Sequence, residues 1–74
     1  MATIDVKTEI TGNVWKIVAS PGDKLPEDEP ILILESMKME IPVEAPAAGT
    51  LTELKVGEED RISEGDVIAV IDPS

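Results

Sequence analysis

Apolar and polar residues alternate in short runs along this chain, and turn residues separate the runs. Within several of these runs an apolar residue recurs at every second position, which is the period of a strand with one buried face. No window shows the 3.6-residue period of a helix. The turns are marked by the segments SPGDK, LPEDEP, GEED and SEGD. The pattern predicts strands at residues 4–10, 13–19, 30–35, 39–45, 50–56 and 67–72.

The chain repeats its own pattern. Residues 11–35 align without a gap to residues 48–72, an offset of 37 that places Gly12 on Gly49. Apolar, glycine, acidic and basic positions are all preserved between the two stretches. Two repeats are too few for a solenoid. We therefore expect two β halves that pack face to face about a pseudo-two-fold axis, as an all-β flattened barrel or sandwich.

The strand alternation slips at the same place in both halves. Val14 and Ile17 fall on opposite parity although both are apolar, and Leu51 and Leu54 repeat that relation. An extra residue in one strand of an antiparallel pair produces such a slip. The sequence therefore predicts a β-bulge or bend in each half.

Composition agrees with a sheet core and excludes several kinds of site. The chain has nine Ile, seven Val and five Leu, so most large aliphatic residues are β-branched and favour strands. We expect Ile33 and Val70, equivalent in the repeat, to lie in the core. The chain has no Cys and no His, which removes disulfides, thiolate chemistry and histidine-based metal sites or general bases. No catalytic or metal-binding residue is assigned, and 74 residues are few for an independent enzyme.

The charge of the chain limits its partners. Sixteen acidic and six basic residues give a net charge of -10, with one aromatic residue, Trp15. Nucleic acid and anionic membranes are therefore poor partners. No basic segment followed by an apolar run begins the chain, and no apolar run is long enough to span a membrane. We expect residues 1–74 to form one complete domain, a cytoplasmic monomer.

The segment ESMKME, residues 35–40, connects two predicted strands with unusual turn chemistry. Two-residue hairpin turns recruit Gly, Asn or Asp, and this segment has none. Met37 and Met39 flank Lys38 here, in a chain with only three methionines. Most hairpin lysines are solvated charges and most strand methionines fill cores. An exposed apolar pair beside an amine instead suits docking into another protein. The repeat places Met1 at the equivalent of Lys38, which predicts the tip at the end of the domain opposite the termini.

Residues 35–39, Glu-Ser-Met-Lys-Met, resemble the Glu-(Ala/Ser)-Met-Lys-Met attachment motif of biotinyl domains, and APAAGTL resembles its downstream Ala-Pro-x-x-Gly run. The duplicated Gly...Gly-Asp pattern extends the resemblance over nearly the whole chain. It implies a flattened barrel of two four-stranded antiparallel sheets with the lysine at a hairpin tip. Short strands are then expected within LPEDEP and RISEGD. The chain departs from the family in having Glu59 opposite Gly22, and in lacking an insertion that resembles a thumb loop.

The resemblance also implies a function. A biotin protein ligase would attach biotin covalently to Lys38. The product would be a non-catalytic carrier that moves carboxyl groups between a biotin carboxylase and a carboxyltransferase. Glu35 and Glu40 would steer the tip or keep it soluble rather than act as bases. The residues expected to be recognised by the ligase are Glu35, Ser36, Met37, Met39 and Glu40.

Two alternatives remain open. Lipoyl carriers resemble biotinyl domains in fold and lysine position, and a thumbless domain could accept both groups. Lipoyl domains resemble one another in an acidic residue before the lysine and a small one after it, whereas Met37 and Met39 stand here, which favours biotin. The other alternative is an unmodified acidic β module that binds a partner through its hairpin. Trp15 is expected at a partly exposed strand position and is given no role.

Overall fold

Eight strands form two antiparallel sheets that the repeat interconverts. The computed structural model describes residues 3–73. One sheet, called here the terminal sheet, has the order β1-β8-β6-β3, and the other, the hairpin sheet, has the order β5-β4-β2-β7. Exchanging each strand with its repeat equivalent, β1 with β5, β2 with β6, β3 with β7 and β4 with β8, converts the order of one sheet into that of the other. The strands are β1 Ile4–Lys7, β2 Gly12–Ile17, β3 Lys24–Leu25, β4 Pro30–Ser36, β5 Met39–Glu44, β6 Gly49–Leu54, β7 Arg61–Ile62 and β8 Val67–Asp72.

This architecture confirms the predicted all-β class. The short strand β7 lies within RISEGD as expected, whereas β3 begins before LPEDEP and shares only Leu25 with it. Some of the predicted strands are too long. The first strand, β1, ends at Lys7 and not at residue 10. The reason is Thr8, which is buried and donates its hydroxyl proton to the Ile10 carbonyl at 2.8 Å. The Thr8 hydroxyl oxygen also accepts a hydrogen bond from the Ile10 N–H at 3.2 Å, so the chain turns there. Residues 3–73 include no helix that could cross a membrane.

Hydrogen bonds between the halves join equivalent pairs of residues in the repeat. The N–H of Gly22 donates to the Leu51 carbonyl at 2.7 Å, and the equivalent N–H of Glu59 donates to the Val14 carbonyl at 2.8 Å. Each turn is therefore fixed on a strand of the opposite half. The halves cannot fold as separate units without losing these bonds.

The predicted bulges are present in both halves. The pairing of β2 with β4 shifts between Val14 and Lys16, so Trp15 is the extra residue. The pairing of β6 with β8 shifts at the equivalent step, where Thr52 is the extra residue. The interrupted alternation in the sequence was the signal of this irregularity.

The core lies between the sheets, but two residues were wrongly assigned to it. Leu34 and its repeat partner Ile71 are fully buried. Ile33 and Val70 are only partly buried. In each strand the side chain before Leu34 or Ile71 points to the opposite face of the sheet. The unbroken aliphatic run from Ile31 to Leu34 hid that parity.

The hairpin turn of one sheet and the chain ends beside the other sheet occupy equivalent positions. Ile41 pairs with Leu34 next to the β4–β5 hairpin, just as Ile4 pairs with Ile71 next to the chain ends. The hairpin turn and the described chain ends are therefore related by the pseudo-two-fold. Met1, the predicted counterpart of Lys38, lies outside the described residues.

Candidate functional site: the hairpin tip

Strands β4 and β5 form the hairpin that holds Lys38. Their pairing runs from Pro30 and Glu44 to Ser36 and Met39. Only Met37 and Lys38 remain in the turn between them. Because β4 also pairs with β2 on its other side, the turn is built on an internal strand of the sheet. The lysine therefore projects from a well-supported part of the fold.

The backbone of this turn is strained. Met37 has a φ of 53° and Lys38 a φ of 66°, so both adopt the left-handed conformation that a type I′ hairpin requires. This conformation costs roughly 1–2 kcal/mol for each residue that has a side chain. Strain of this kind concentrates at functional sites. Met37 and Lys38 adopt this conformation although neither has a high propensity for it.

The side chains of the turn are directed to solvent. Met37 is 91% exposed, Met39 is 62% exposed, and Lys38 is also exposed. The methionines are therefore not core residues of the domain, as their position in the sequence indicated. Their part in recognition by a ligase stays a prediction.

Two carboxylates lie on either side of the turn that holds the lysine. Glu35 and Glu40 are exposed and lie directly opposite each other in the β4–β5 pairing. Like charges in that position destabilise a sheet. Neither carboxylate forms an ion pair or hydrogen bond with a residue of the described chain. The pair therefore presents negative charge at the hairpin without neutralisation by residues 3–73.

The amine of Lys38 is available for reaction. It forms no hydrogen bond and no ion pair with any of residues 3–73. A lysine that is to form an amide with a carboxylic acid cofactor must be reachable and free of competing partners. The exposed turn meets both conditions. Among the described residues, no group of three potential His, Cys, Asp or Glu ligands could hold a metal ion.

Gly12 supports the tip, a role that the sequence interpretation missed. A Cβ atom on Gly12 would lie 2.7 Å from the Glu35 carbonyl oxygen and 3.3 Å from the Ser36 Cβ. Only glycine lets β2 approach the end of β4 so closely. The signal was present in the repeat, where Gly12 matches Gly49. A glycine inside a strand marks a close approach of another backbone.

The structure brings the six residues from Glu35 to Glu40 together in one hairpin. Five are exposed and Ser36 is partly buried. Trp15, on the neighbouring strand β2, is 50% exposed. A shallow hollow of about 380 Å³ lies elsewhere, between β1 and β5, and one of about 340 Å³ lies beside the turn. The second is lined by Thr11, Gly12, Asn13, Glu35, Ser36, Met37, Lys38 and Arg61.

Two known proteins similar to this chain are close to it in length as well as in sequence. The family model described as biotin-requiring enzyme, of the biotin and lipoyl type, matches residues 3–71. The chain is 46% identical over 67 residues to a biotinylated protein TB7.3 homolog of Mycobacterium leprae, covering 90% of this chain and 94% of that protein. It is 43% identical over 63 residues to a biotin/lipoyl attachment protein of Bacillus subtilis, covering 85% and 86%.

Solved structures of large enzymes contain a domain of the same shape. The chain superposes on the urea carboxylase of Kluyveromyces lactis with a TM-score of 0.92 and 32% identity, over 97% of this chain and 6% of the carboxylase. A single-chain, multi-domain long-chain acyl-CoA carboxylase gives a TM-score of 0.90 at 24% identity, which concerns the fold alone. Since the family model covers nearly all of the sequence and the relatives are of similar length, the chain belongs to the biotin/lipoyl attachment family.

Proposed function

We propose that this chain is a biotin carrier, a single domain over residues 1–74 that receives biotin on Lys38. The observation that supports the site is the exposed and unpaired lysine at a strained turn between two exposed methionines. Membership of the attachment family supplies the chemical context. The name of the Mycobacterium leprae relative, a biotinylated protein, supports biotin as the attached group.

The chain cannot attach biotin to itself. An ammonium group has no lone pair for attack, so a lysine must lose a proton before it can act as a nucleophile. None of the described residues forms a hydrogen bond with the Lys38 amine that could take up its proton. A biotin protein ligase must therefore supply both a base and an activated acid, biotinyl-adenylate. The Nζ atom bonds to the biotin carboxyl carbon, the acyl–phosphate bond breaks, AMP leaves, and the amine proton passes to the ligase or to water.

The role of the domain after attachment is to present the group. Attached biotin supplies a ring that carries a carboxyl group. The domain itself contributes a rigid base, an exposed turn and a surface that partners recognise. Tethering keeps the group at an effective concentration of order millimolar near each partner site. The expected partners are a biotin carboxylase and a carboxyltransferase, supported by the domain of urea carboxylase that has the same fold.

A lipoyl carrier is the second candidate, because the Bacillus subtilis relative is named a biotin/lipoyl attachment protein. Met37 and Met39 favour biotin at this turn. The two groups would use the same lysine, so the choice depends on which ligase accepts the hairpin. The ligase partner, the monomeric state and the cytoplasmic location stay predictions.

The test is the intact mass of the purified chain after reaction with a biotin protein ligase, and separately with a lipoyl ligase, each with ATP and its acid. We expect one biotinyl group per chain and slower or no lipoylation. A chain that gains mass with neither ligase would be the unmodified interaction module and would overturn the proposal. A chain that gains only a lipoyl group would be a lipoyl carrier.

A further inference from the structure

The exposed large apolar side chains of the described residues are confined to one side of the molecule. They are Trp15 at 50%, Val18 at 47%, Met37 and Met39. Trp15 lies in β2 of the hairpin sheet, Val18 follows that strand directly, and the methionines flank Lys38. None lies on the terminal sheet. Exposed apolar side chains gathered on one side of the molecule indicate contact with another protein.

The fold itself does not require this apolar surface. The repeat partner of Trp15 is Thr52, which occupies the same bulge and donates its hydroxyl proton to the Val70 carbonyl at 3.1 Å. The partner of Val18 is Lys55, which forms an ion pair with Glu53 at 3.1 Å. The same backbone therefore forms with polar side chains at both positions. The apolar pair serves something other than folding.

Neighbouring residues of the hairpin sheet extend the patch. Ile33 pairs with Lys16, next to Trp15, on one side and with Pro42 on the other. Ile33 is partly exposed and Pro42 is exposed. At the position of Pro42 the terminal sheet has Asp5. We call the surface formed by Trp15, Val18, Ile33 and Pro42 the Trp15 face.

We propose that the Trp15 face is a docking surface for the biotin protein ligase that modifies Lys38. This inference rests on the proposed function. The bulge lies opposite the step from Leu34 to Ile33, about 10 Å behind the turn at the rise of a strand. The Lys38 side chain reaches only about 6 Å from its Cα atom. An enzyme that brings its active site to this amine must stand over the hairpin, within reach of the face.

A carboxylase meets a different geometry. It acts on a group at the end of a longer arm, beyond the turn. It therefore does not need to contact residues about 10 Å behind the turn, the distance given by the rise of a strand. The distance from Lys38 therefore favours the ligase over the later partners. Tryptophan is also one of the residues enriched among interface side chains whose truncation weakens binding strongly.

Charge specifies the chemistry of the partner. Glu35, Glu40 and Glu44 are exposed and share the outer side of the hairpin sheet with Pro42. Glu35 and Glu40 lie between Pro42 and the turn, and Glu44 lies on the far side of Pro42. The ligase surface that fits this arrangement has an apolar socket for Trp15 with basic side chains beside it. Raising the salt concentration should therefore slow association.

The experiment measures kcat/KM for biotinylation by a purified biotin protein ligase. Trp15→Thr gives the bulge the residue that the other half carries, so the variant is expected to fold. We expect kcat/KM to fall about tenfold or more through KM, with kcat retained. Thr52→Ala, at the equivalent bulge, should react like the wild type. Pro42→Asp, which copies Asp5, is a second variant in case Trp15→Thr melts below the assay temperature.

The outcomes separate this inference from the proposed function. Wild-type kcat/KM in folded Trp15→Thr or Pro42→Asp overturns docking of the ligase, while biotin on Lys38 stands. If those variants are biotinylated normally but then serve a biotin carboxylase poorly, the face belongs to the carboxylase and the inference is wrong. A wild-type chain that gains no biotin overturns the proposed function and this inference together.

Discussion

The two sheets share one backbone plan and differ in what they show to solvent. Equivalent strands, bulges and hydrogen bonds between the halves obey the repeat. The hairpin sheet carries the Lys38 turn and Trp15, and the terminal sheet carries the chain ends and Thr52 in the related places. The shared features build the domain. We propose that the departures from the repeat carry its function.

Turns at equivalent positions of the two halves share one backbone conformation. Gly22 and Glu59 are repeat partners, and both adopt positive φ, at 99° and 74°. Asp28 and Gly65 form a second such pair, at 71° and 90°. Each pair has one glycine and one residue with a side chain. The backbone conformation is therefore imposed by the hydrogen bonds between the halves and not by local preference.

The largest expected effect comes from the shared core. Leu34→Ala and Ile71→Ala, at fully buried equivalent positions, should each lower the free energy of unfolding by about 2–5 kcal/mol. Urea denaturation measures both. Ile33→Ala, at a partly exposed position, serves as the control and should cost less. A large loss in one half with little in the other would break the symmetric account of the core.

The next effect concerns the two supporting glycines. A Cβ on Gly12 would meet the Glu35 carbonyl, and one on Gly49 would meet the Asp72 carbonyl. Gly12→Ala and Gly49→Ala should each destabilise the domain by about 1–3 kcal/mol. At a temperature where both variants are folded, only Gly12→Ala should slow modification of Lys38. Equal rates of Lys38 modification in the two variants would show that Gly12 does not support the tip.

A smaller effect of opposite sign is expected at Glu59. Glycine relieves a left-handed cost of about 1–2 kcal/mol and loses about 0.5–1 kcal/mol of backbone entropy. Glu59→Gly should therefore raise the stability by roughly 0.5–1 kcal/mol. The reverse exchange in the other half, Gly22→Glu, should lower it. A calorimetric melt that shows no gain for Glu59→Gly would mean that this side chain stabilises its turn.

The smallest effect on stability is expected at the methionines. Met37→Asp combined with Met39→Ala should leave the melting temperature nearly unchanged, because both side chains are mostly exposed. The same change should sharply slow biotinylation and raise acceptance by a lipoyl ligase, since an apolar pocket penalises an unpaired carboxylate. Met37→Leu with Met39→Leu is the matched apolar control. Strong destabilisation with an unchanged biotinylation rate would assign the methionines to packing.

Much of the fold could be predicted because the chain states its pattern twice. The slip after Val14 recurs after Leu51, so the bulges were visible without a structure. The two-residue strands β3 and β7 are too short to show alternation, and the family resemblance supplied them. Ile33 was misplaced because an unbroken aliphatic run carries no parity signal.

The site was predicted less completely than the fold. Lys38 and its neighbours follow from the attachment motif, but the left-handed turn does not, since neither Met37 nor Lys38 has the propensity for it. The role proposed for Trp15 is inferred from its exposure and from comparison with Thr52 in the folded chain. Both are tertiary properties.

The most direct test of the central claim compares Lys38→Arg with Lys16→Arg, a second exposed lysine on the hairpin sheet. Each variant is treated with a biotin protein ligase, and intact mass and melting temperature are recorded. We expect no adduct on Lys38→Arg, a full adduct on Lys16→Arg, and wild-type melting in both, because both side chains are exposed. A biotinyl group on the Lys38→Arg chain would contradict the account.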